Sequence, residues 1–218
     1  MATWGLHIRI AEVLINKEQM DLDKKSFLVG NIAADAGKPN ADRSAFDSPP
    51  EISHWKDHKK RIRPDFFYKA HLSEFYGDQK KRSFFLGYYV HLMTDLWWEA
   101  FFEHMKEINP LYKKVENDKD YIWVIKKDWY DLDHLYFLQN QESVFWTIFQ
   151  HIDRFPDYLD YFEQGQIYEK ICYIKDFYMS PPSDFNRPYK HLQMEDMNAF
   201  VDNVVSGIAE DLNEKLQR

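Results

Sequence analysis

The segment of residues 86–98 places the strongest constraint on the fold, because it is apolar, rich in aromatic residues and still carries two metal-ligand side chains. His91 and Asp95 lie four positions apart within it. Residues four apart share one face of an α-helix, so this imidazole and this carboxylate can converge on one ion. A buried carboxylate also needs a partner such as an arginine, a helix end or a metal. The segment therefore predicts a buried helix with a candidate metal pair. A hydrogen-bonded core histidine and a chance pairing are the alternatives.

The remaining sequence also favours helices. Hydrophobic periodicity, proline positions and capping residues predict them near residues 7–15, 27–34, 64–75, 78–109, 121–138, 143–152, 156–179 and 195–216. Two long loops, at 36–50 and 180–188, and a turn at 117–119 separate these patterns. Only 7 of the 218 residues are glycine, which argues against a turn-rich all-β fold. We expect one all-α domain spanning residues 1–218, a multi-helix bundle with a metal cleft between helices.

Charge and cysteine content narrow the class of protein. The formal net charge of -8 disfavours a stable nucleic-acid partner, which needs clustered lysine and arginine. Cys172 is the single cysteine, so no intrachain disulfide can form. The first residues do not resemble a secretory signal, and no run approaches the roughly 20 apolar residues of a membrane span. These features predict a cytoplasmic protein with no transmembrane segment, and they leave its oligomeric state open.

Three more ligand-type residues precede the His91/Asp95 pair. His7 begins the first predicted helix, Asp35 ends an apolar segment at a glycine-containing turn, and His54 follows the first long loop. Each has an ordinary alternative, either an exposed histidine or an aspartate that caps a turn. The order His, Asp, His and then His-x-x-x-Asp is harder to explain in that way.

This order resembles the zinc-dependent phospholipase C family, which is related in fold to the single-strand-specific zinc nucleases. The resemblance covers about the first hundred residues and rests on Leu6-His7-Ile8, residues 27–35, Ser53-His54-Trp55 and residues 85–95. It implies an all-α fold, a cleft that holds up to three zinc ions, and phosphodiester hydrolysis. It also implies that His7 and Asp35 serve one zinc ion, and that Asp35 bridges to a second ion held by His54, His91 and Asp95.

The chain also departs from the family pattern. Secreted members bind metal through a mature N-terminal tryptophan, whereas Trp4 is internal. They also place a histidine and a His-x-x-x-Glu pair soon after the first pair. Here only His104 is close, and the distant His191/Glu195 pair is either a chance match, which we favour, or a displaced ligand pair. Three further candidates share one face of a predicted helix, for which a solvated surface is the simpler interpretation: Asp128, Asp131 and His134. The expected complement is one or two zinc ions.

The sequence thus predicts a metal-dependent hydrolase of a phosphoester, with a phosphodiester as the leading substrate. By the resemblance the metal is zinc, and the substrate is a small phosphoester or a phospholipid headgroup. Asp35 is the predicted catalytic residue, which orients the attacking water or takes its proton. The alternatives are a phosphatase or nuclease acting on a soluble substrate, a non-catalytic helical protein with a structural metal, and a helical partner-binding domain without metal. Aromatic neighbours of the metal pair receive no site role: Tyr88, Tyr89, Trp97 and Trp98.

Overall fold

The computed structural model describes residues 1–17, 21–40, 46–75, 77–115 and 120–216, and it confirms the all-α prediction. One small antiparallel ribbon joins β1 (Lys38–Pro39) to β2 (Phe46–Asp47). No helix in the described part is long and apolar enough to cross a membrane, and the cytoplasmic location stays a prediction. The described helices are α1 (Trp4–Lys17), α2 (Lys24–Ala33), α3 (Pro50–Ser53), α4 (Pro64–His71), α5 (Gln79–Ile108), α6 (Pro110–Val115), α7 (Tyr121–Gln139), α8 (Val144–Thr147), α9 (Gln166–Met179) and α10 (Met194–Leu216).

Helix α5 is the centre of the core and matches its predicted bounds. Its N-cap is Asp78, whose carboxylate accepts a hydrogen bond from the Lys81 backbone N–H. Such a cap satisfies an N–H group that the helix itself cannot pair. The helix stops at Ile108, two residues before Pro110. Between Ser83 and Val90 the residues are buried without interruption, so α5 is surrounded by other elements along this stretch.

Helices α2 and α5 touch through their backbones because a glycine faces the partner helix on each side. A Cβ added to Gly30 would lie 1.9 Å from the carbonyl oxygen of Phe84. A Cβ added to Gly87 would lie 2.0 Å from the carbonyl oxygen of Phe27. Only glycine permits so close an approach. The crossing sets the C-terminal end of α2 beside the helical turn that follows Gly87, and that turn carries His91.

We expect Gly87→Ala to lower the free energy of unfolding by about 1–3 kcal/mol, the usual cost of overpacking a core. The added methyl group meets a backbone carbonyl, which cannot move aside without separating the helices. Urea denaturation gives the change as a shift in midpoint. Gly207→Ala in α10 is the matched control, because the three atoms nearest to its methyl group all belong to the movable, 39% exposed side chain of Trp97. Equal midpoints for the two variants would contradict the close crossing.

Some predicted boundaries are wrong. The helix expected at 156–179 begins only at Gln166, since Gly165 has a left-handed φ of 80° and donates its N–H to Asp157 Oδ2. The expected helix at 143–152 is the short α8 followed by a 3₁₀ turn, Phe149–His151, and the helix expected at 64–75 ends at His71. The predicted turn at 117–119 and positions 41–45 of the first loop lie outside the described residues.

Candidate metal centre

The five predicted ligand residues converge in the interior. His7 comes from the first turn of α1, and Asp35 lies in the 3₁₀ turn Ala34–Ala36 that continues α2. His54 ends α3, while His91 and Asp95 lie one turn apart on α5. The side chains of His7, His91 and Asp95 are fully buried, and those of His54 and Asp35 are 2% and 7% exposed. The exposed histidines that the simpler interpretations allowed at positions 7 and 54 are therefore not observed.

Three donor atoms form a nearly equilateral triangle at the centre of this cluster. The Nε2 atoms of His54 and His91 are 3.4 Å apart. Asp95 Oδ2 lies 3.4 Å from His54 Nε2 and 3.5 Å from His91 Nε2. Zinc bonds of about 2.0–2.2 Å in a tetrahedron place neighbouring ligand atoms roughly 3.3 Å apart. Charge-assisted hydrogen bonds are shorter, at about 2.7–2.9 Å. The separations thus suit a shared ion better than direct hydrogen bonds.

Hydrogen bonds outside the triangle orient its imidazoles. The backbone carbonyl oxygen of Asn31 lies 3.0 Å from His91 Nδ1. A carbonyl oxygen can only accept, so Nδ1 carries a proton and Nε2 is the ring nitrogen that faces the triangle and is available to bind a metal. Burial lowers the pKa of His91, but the neighbouring Asp95 and Asp35 outweigh it and raise the pKa overall. For His54, Nδ1 lies 3.0 Å from Ser53 Oγ, which leaves its Nε2 directed at the carboxylates.

His7 provides the strongest sign of a missing partner. Its ring stacks on His91 with centroids 3.9 Å apart and planes 8° from parallel. Neither ring nitrogen has a hydrogen-bond partner, although both are buried. Burial, followed by the charge at His91, lowers its pKa to about 4, so the ring is neutral at pH 7. Leaving a buried polar group unpaired is costly, and a neutral imidazole beside a carboxylate is a good metal ligand.

Asp95 presents its two oxygens to different histidines. Oδ2 belongs to the triangle and has no hydrogen-bond partner, whereas Oδ1 lies 3.5 Å from His7 Nε2 and accepts the Ala2 N–H at 2.7 Å. Burial raises its pKa, but the neighbouring His7 and His91 reverse this and hold it well below the usual value. The resemblance assigned the bridging position to Asp35. Asp95 faces His7 with one oxygen and the other two histidines with the second, while Asp35 lies within reach of one ion together with His7 and His91. The bridging role of Asp35 therefore stays a prediction.

Asp35 lies on the open side of the cluster. Its Oδ1 is 3.4 Å from His54 Nε2, and both residues line a cavity of about 310 Å³. Burial raises the pKa of Asp35, but His54 and the charge at His91 more than offset this, so the pKa falls below its ordinary value. The carboxylate is therefore ionised at neutral pH. Asp35 thus lies between the buried cluster of candidate ligands and a cavity large enough for a small molecule.

The walls of this cavity come from parts of the chain that the sequence interpretation left out. Trp4 of α1 lies 5.9 Å from Tyr130, 5.5 Å from Tyr173 and 5.6 Å from Phe177, measured between ring centroids. Residues of α7 and α9 complete the lining: Trp123, Lys126 and Lys170. Burial lowers the pKa of each lysine, while the negative charge of Asp35 opposes that fall. Amphipathic periodicity made these residues look like ordinary helix positions, so no sequence signal marked them.

The solvated face predicted for α7 is wrong, and its carboxylates lie outside the metal cluster. Arg187, from the loop before α10, donates to Asp128 Oδ1 and to Asp131 Oδ2 at 2.7 Å each. His134 is also buried and packs against the rings of Phe177 and Tyr178. These contacts hold the second long loop, at 180–188, against α7. The three residues therefore have structural partners.

The remaining sequence candidates lie away from the site. His191 Nδ1 contacts Asp128 Oδ2 at 3.2 Å, while Glu195 and His104 are exposed. Tyr88, Tyr89 and Trp98 are core residues, and Trp97 faces solvent. Within the described residues, two groups of side chains could each hold one ion: His54, His91 and Asp95, and His7, Asp35 and His91. None of the candidates named above belongs to either group.

The family model described as Zinc dependent phospholipase C matches residues 6–181. The chain belongs to this family. The match confirms the resemblance and extends it beyond the first hundred residues to α7 and α9, which build the cavity walls. Neither a curated protein nor a solved structure matches the chain.

Proposed function

We propose that the protein is a zinc-dependent phosphodiesterase whose metal centre is the triangle of His54, His91 and Asp95. The observation that carries this proposal is the triangle itself, with edges of 3.4–3.5 Å, next to a cavity lined by Asp35. A catalytic zinc site has three protein ligands and leaves a position open. Membership of the Zinc dependent phospholipase C family supports zinc and a phosphoester substrate.

A second ion has a weaker set of ligands. His7 Nε2 and Asp95 Oδ1 are 3.5 Å apart, which again suits two ligands of one zinc ion, and a carboxylate oxygen of Asp35 lies within 4.8 Å of a ring nitrogen of His7. His91 cannot serve both positions, because its Nδ1 is bonded to the Asn31 carbonyl oxygen and only Nε2 is available. The proposed complement is thus one firmly held ion, with a second, weaker position between His7 and Asp95.

The residues of the chain divide the work of hydrolysis. Bound zinc supplies polarisation of the phosphoryl group and makes water more acidic. The hydrogen bond to the Asn31 carbonyl oxygen fixes the His91 ring, so that Nε2 stays at its corner of the ligand triangle. Asp35 is ionised and faces the cavity, so it accepts a hydrogen bond from the attacking water and aligns it with phosphorus. The aromatic wall around Trp4 limits the entry of other water molecules.

Hydrolysis of bis(p-nitrophenyl) phosphate tests this proposal directly. We expect slow release of p-nitrophenol that a chelator abolishes and that zinc or manganese restores, since histidine and aspartate ligands accept either metal. His91→Ala should lose this activity together with the bound metal. p-Nitrophenyl phosphate, measured in parallel, distinguishes a phosphodiesterase from a phosphatase.

The rival with a structural metal makes the opposite prediction. A protein with full zinc occupancy that leaves both the diester and the monoester intact would overturn the catalytic proposal. Faster turnover of the monoester would replace the phosphodiesterase by the phosphatase alternative.

A further inference from the structure

The cavity beside the metal centre is positively charged apart from its metal ligands. Lys126 of α7 and Lys170 of α9 both line it, and both are half-buried. Within the described residues, neither ammonium group forms a salt bridge, although the charge of Asp35, the one carboxylate in the lining, acts on both. Half-buried cations are normally paired or exposed to water. Two lysines that line one cavity without a salt bridge therefore favour the binding of an anion.

Three of the aromatic rings that line the cavity already have a lysine ammonium group over one face. Lys170 Nζ lies over the ring of Trp4 at 5.2 Å and over that of Tyr173 at 5.5 Å from the centroids. Lys126 Nζ lies over the ring of Trp123 at 5.8 Å. An aromatic cage for a quaternary ammonium group needs free ring faces. Here a cationic headgroup meets two ammonium groups, which repel it.

We propose that the substrate is a phosphodiester whose non-leaving arm carries a further anionic group, bound by Lys126 and Lys170 beside the metal centre. This assignment rests on the proposed function and adds the chemical class of the substrate. The cavity volume of about 310 Å³ suits one small charged arm. Repulsion of a cationic arm and attraction of an anionic arm by the two lysines both contribute to this selectivity.

Three p-nitrophenyl diesters with one common leaving group test the assignment on the zinc-loaded protein. Their second arms are ethyl, choline and 2-phosphonoethyl, which are neutral, cationic and anionic, respectively. We expect kcat/KM for the phosphonoethyl diester to exceed that for the choline diester by about tenfold or more. The Lys126→Gln/Lys170→Gln double variant should bring this ratio close to one. The control is Lys17→Gln/Lys24→Gln, which removes the same charge from exposed positions and should keep the ratio.

Binding separates this assignment from the proposed activity. Calorimetry with 2-phosphonoethyl phosphate and with phosphocholine measures the same preference without turnover. A protein that cleaves no diester but binds the phosphonoethyl ligand more tightly, and loses that preference in the double variant, keeps the assignment and overturns the activity. A protein that cleaves the choline diester as fast as the phosphonoethyl diester keeps the activity and overturns the assignment. A preference that survives in the double variant also overturns it.

The anionic arm can belong to a lipid or to a soluble molecule. Dihexanoyl phosphatidylinositol 4-phosphate and its deacylated, water-soluble form carry the same headgroup and separate the two sources. Faster cleavage of the acylated form assigns the site to a lipid headgroup, and faster cleavage of the deacylated form assigns it to a soluble diester. Dihexanoyl phosphatidylcholine should be the poorest substrate, and its preferential cleavage contradicts the anionic class.

Discussion

Replacing Asp35 by asparagine is expected to reduce phosphodiester hydrolysis by about a hundredfold or more, the scale of losing a group that assists proton transfer. Asparagine keeps the shape of the side chain but removes the charge. Asp35 lies at the boundary between the cavity and the ligand triangle, with Oδ1 3.4 Å from His54 Nε2. The triangle itself remains intact in this variant. The loss should therefore appear mainly in kcat, with at least one zinc ion still bound.

Asp153→Asn is the control for this prediction, because it makes the same chemical change at a carboxylate that is 81% exposed. Its activity should equal that of the wild type. An Asp35→Asn protein that keeps its zinc and loses less than about threefold in kcat would contradict a catalytic role for Asp35. Loss of both zinc and activity would instead place Asp35 among the ligands that hold the ion.

Asp95→Asn should weaken zinc binding by more than about a hundredfold. Even partners outside the ligand set change metal affinity by roughly 10–100-fold, and Asp95 contributes one oxygen to the triangle and the other to His7. His7→Ala removes only the weaker position, so it should leave the triangle occupied. Competition with a chromophoric chelator measures both affinities.

Thr94→Val provides a matched control on the neighbouring residue of α5. Thr94 is fully buried, its Oγ1 has no hydrogen-bond partner, and valine has nearly the same shape. This variant should bind zinc as the wild type does, and circular dichroism should show equal helix content in all three variants. Equal affinities for Asp95→Asn and Thr94→Val would exclude Asp95 as a shared ligand.

The sequence predicted the convergence of the ligand residues better than their separate roles. Spacing placed His91 and Asp95 on one helix face, and the order of His7, Asp35 and His54 added the rest. The close crossing at Gly30 and Gly87, which fixes their distances, depends on contacts between helices that no local pattern encodes. Which carboxylate bridges two ions cannot be derived from spacing, because it depends on which way the oxygens of Asp35 and Asp95 point.

Local sequence patterns also could not predict the lining of the cavity or the burial of the α7 carboxylates, for a related reason. Lys126 and Lys170 are separated by more than forty residues, and only the packing of α7 and α9 brings them to one space. The carboxylates of α7 looked solvated because their partner, Arg187, comes from a distant loop. Periodicity locates helices within the chain, but long-range ion pairs determine which polar face becomes buried.

Zinc content of the purified wild-type protein tests the central claim most directly. Protein prepared without chelator, or desalted after incubation with zinc, should contain at least one equivalent of zinc by elemental analysis. The His54→Ala/His91→Ala variant should lose the firmly held ion, because it keeps only one corner of the triangle. A folded wild-type protein that retains no zinc, or a variant that retains as much zinc as the wild type, would contradict a metal centre at this triangle.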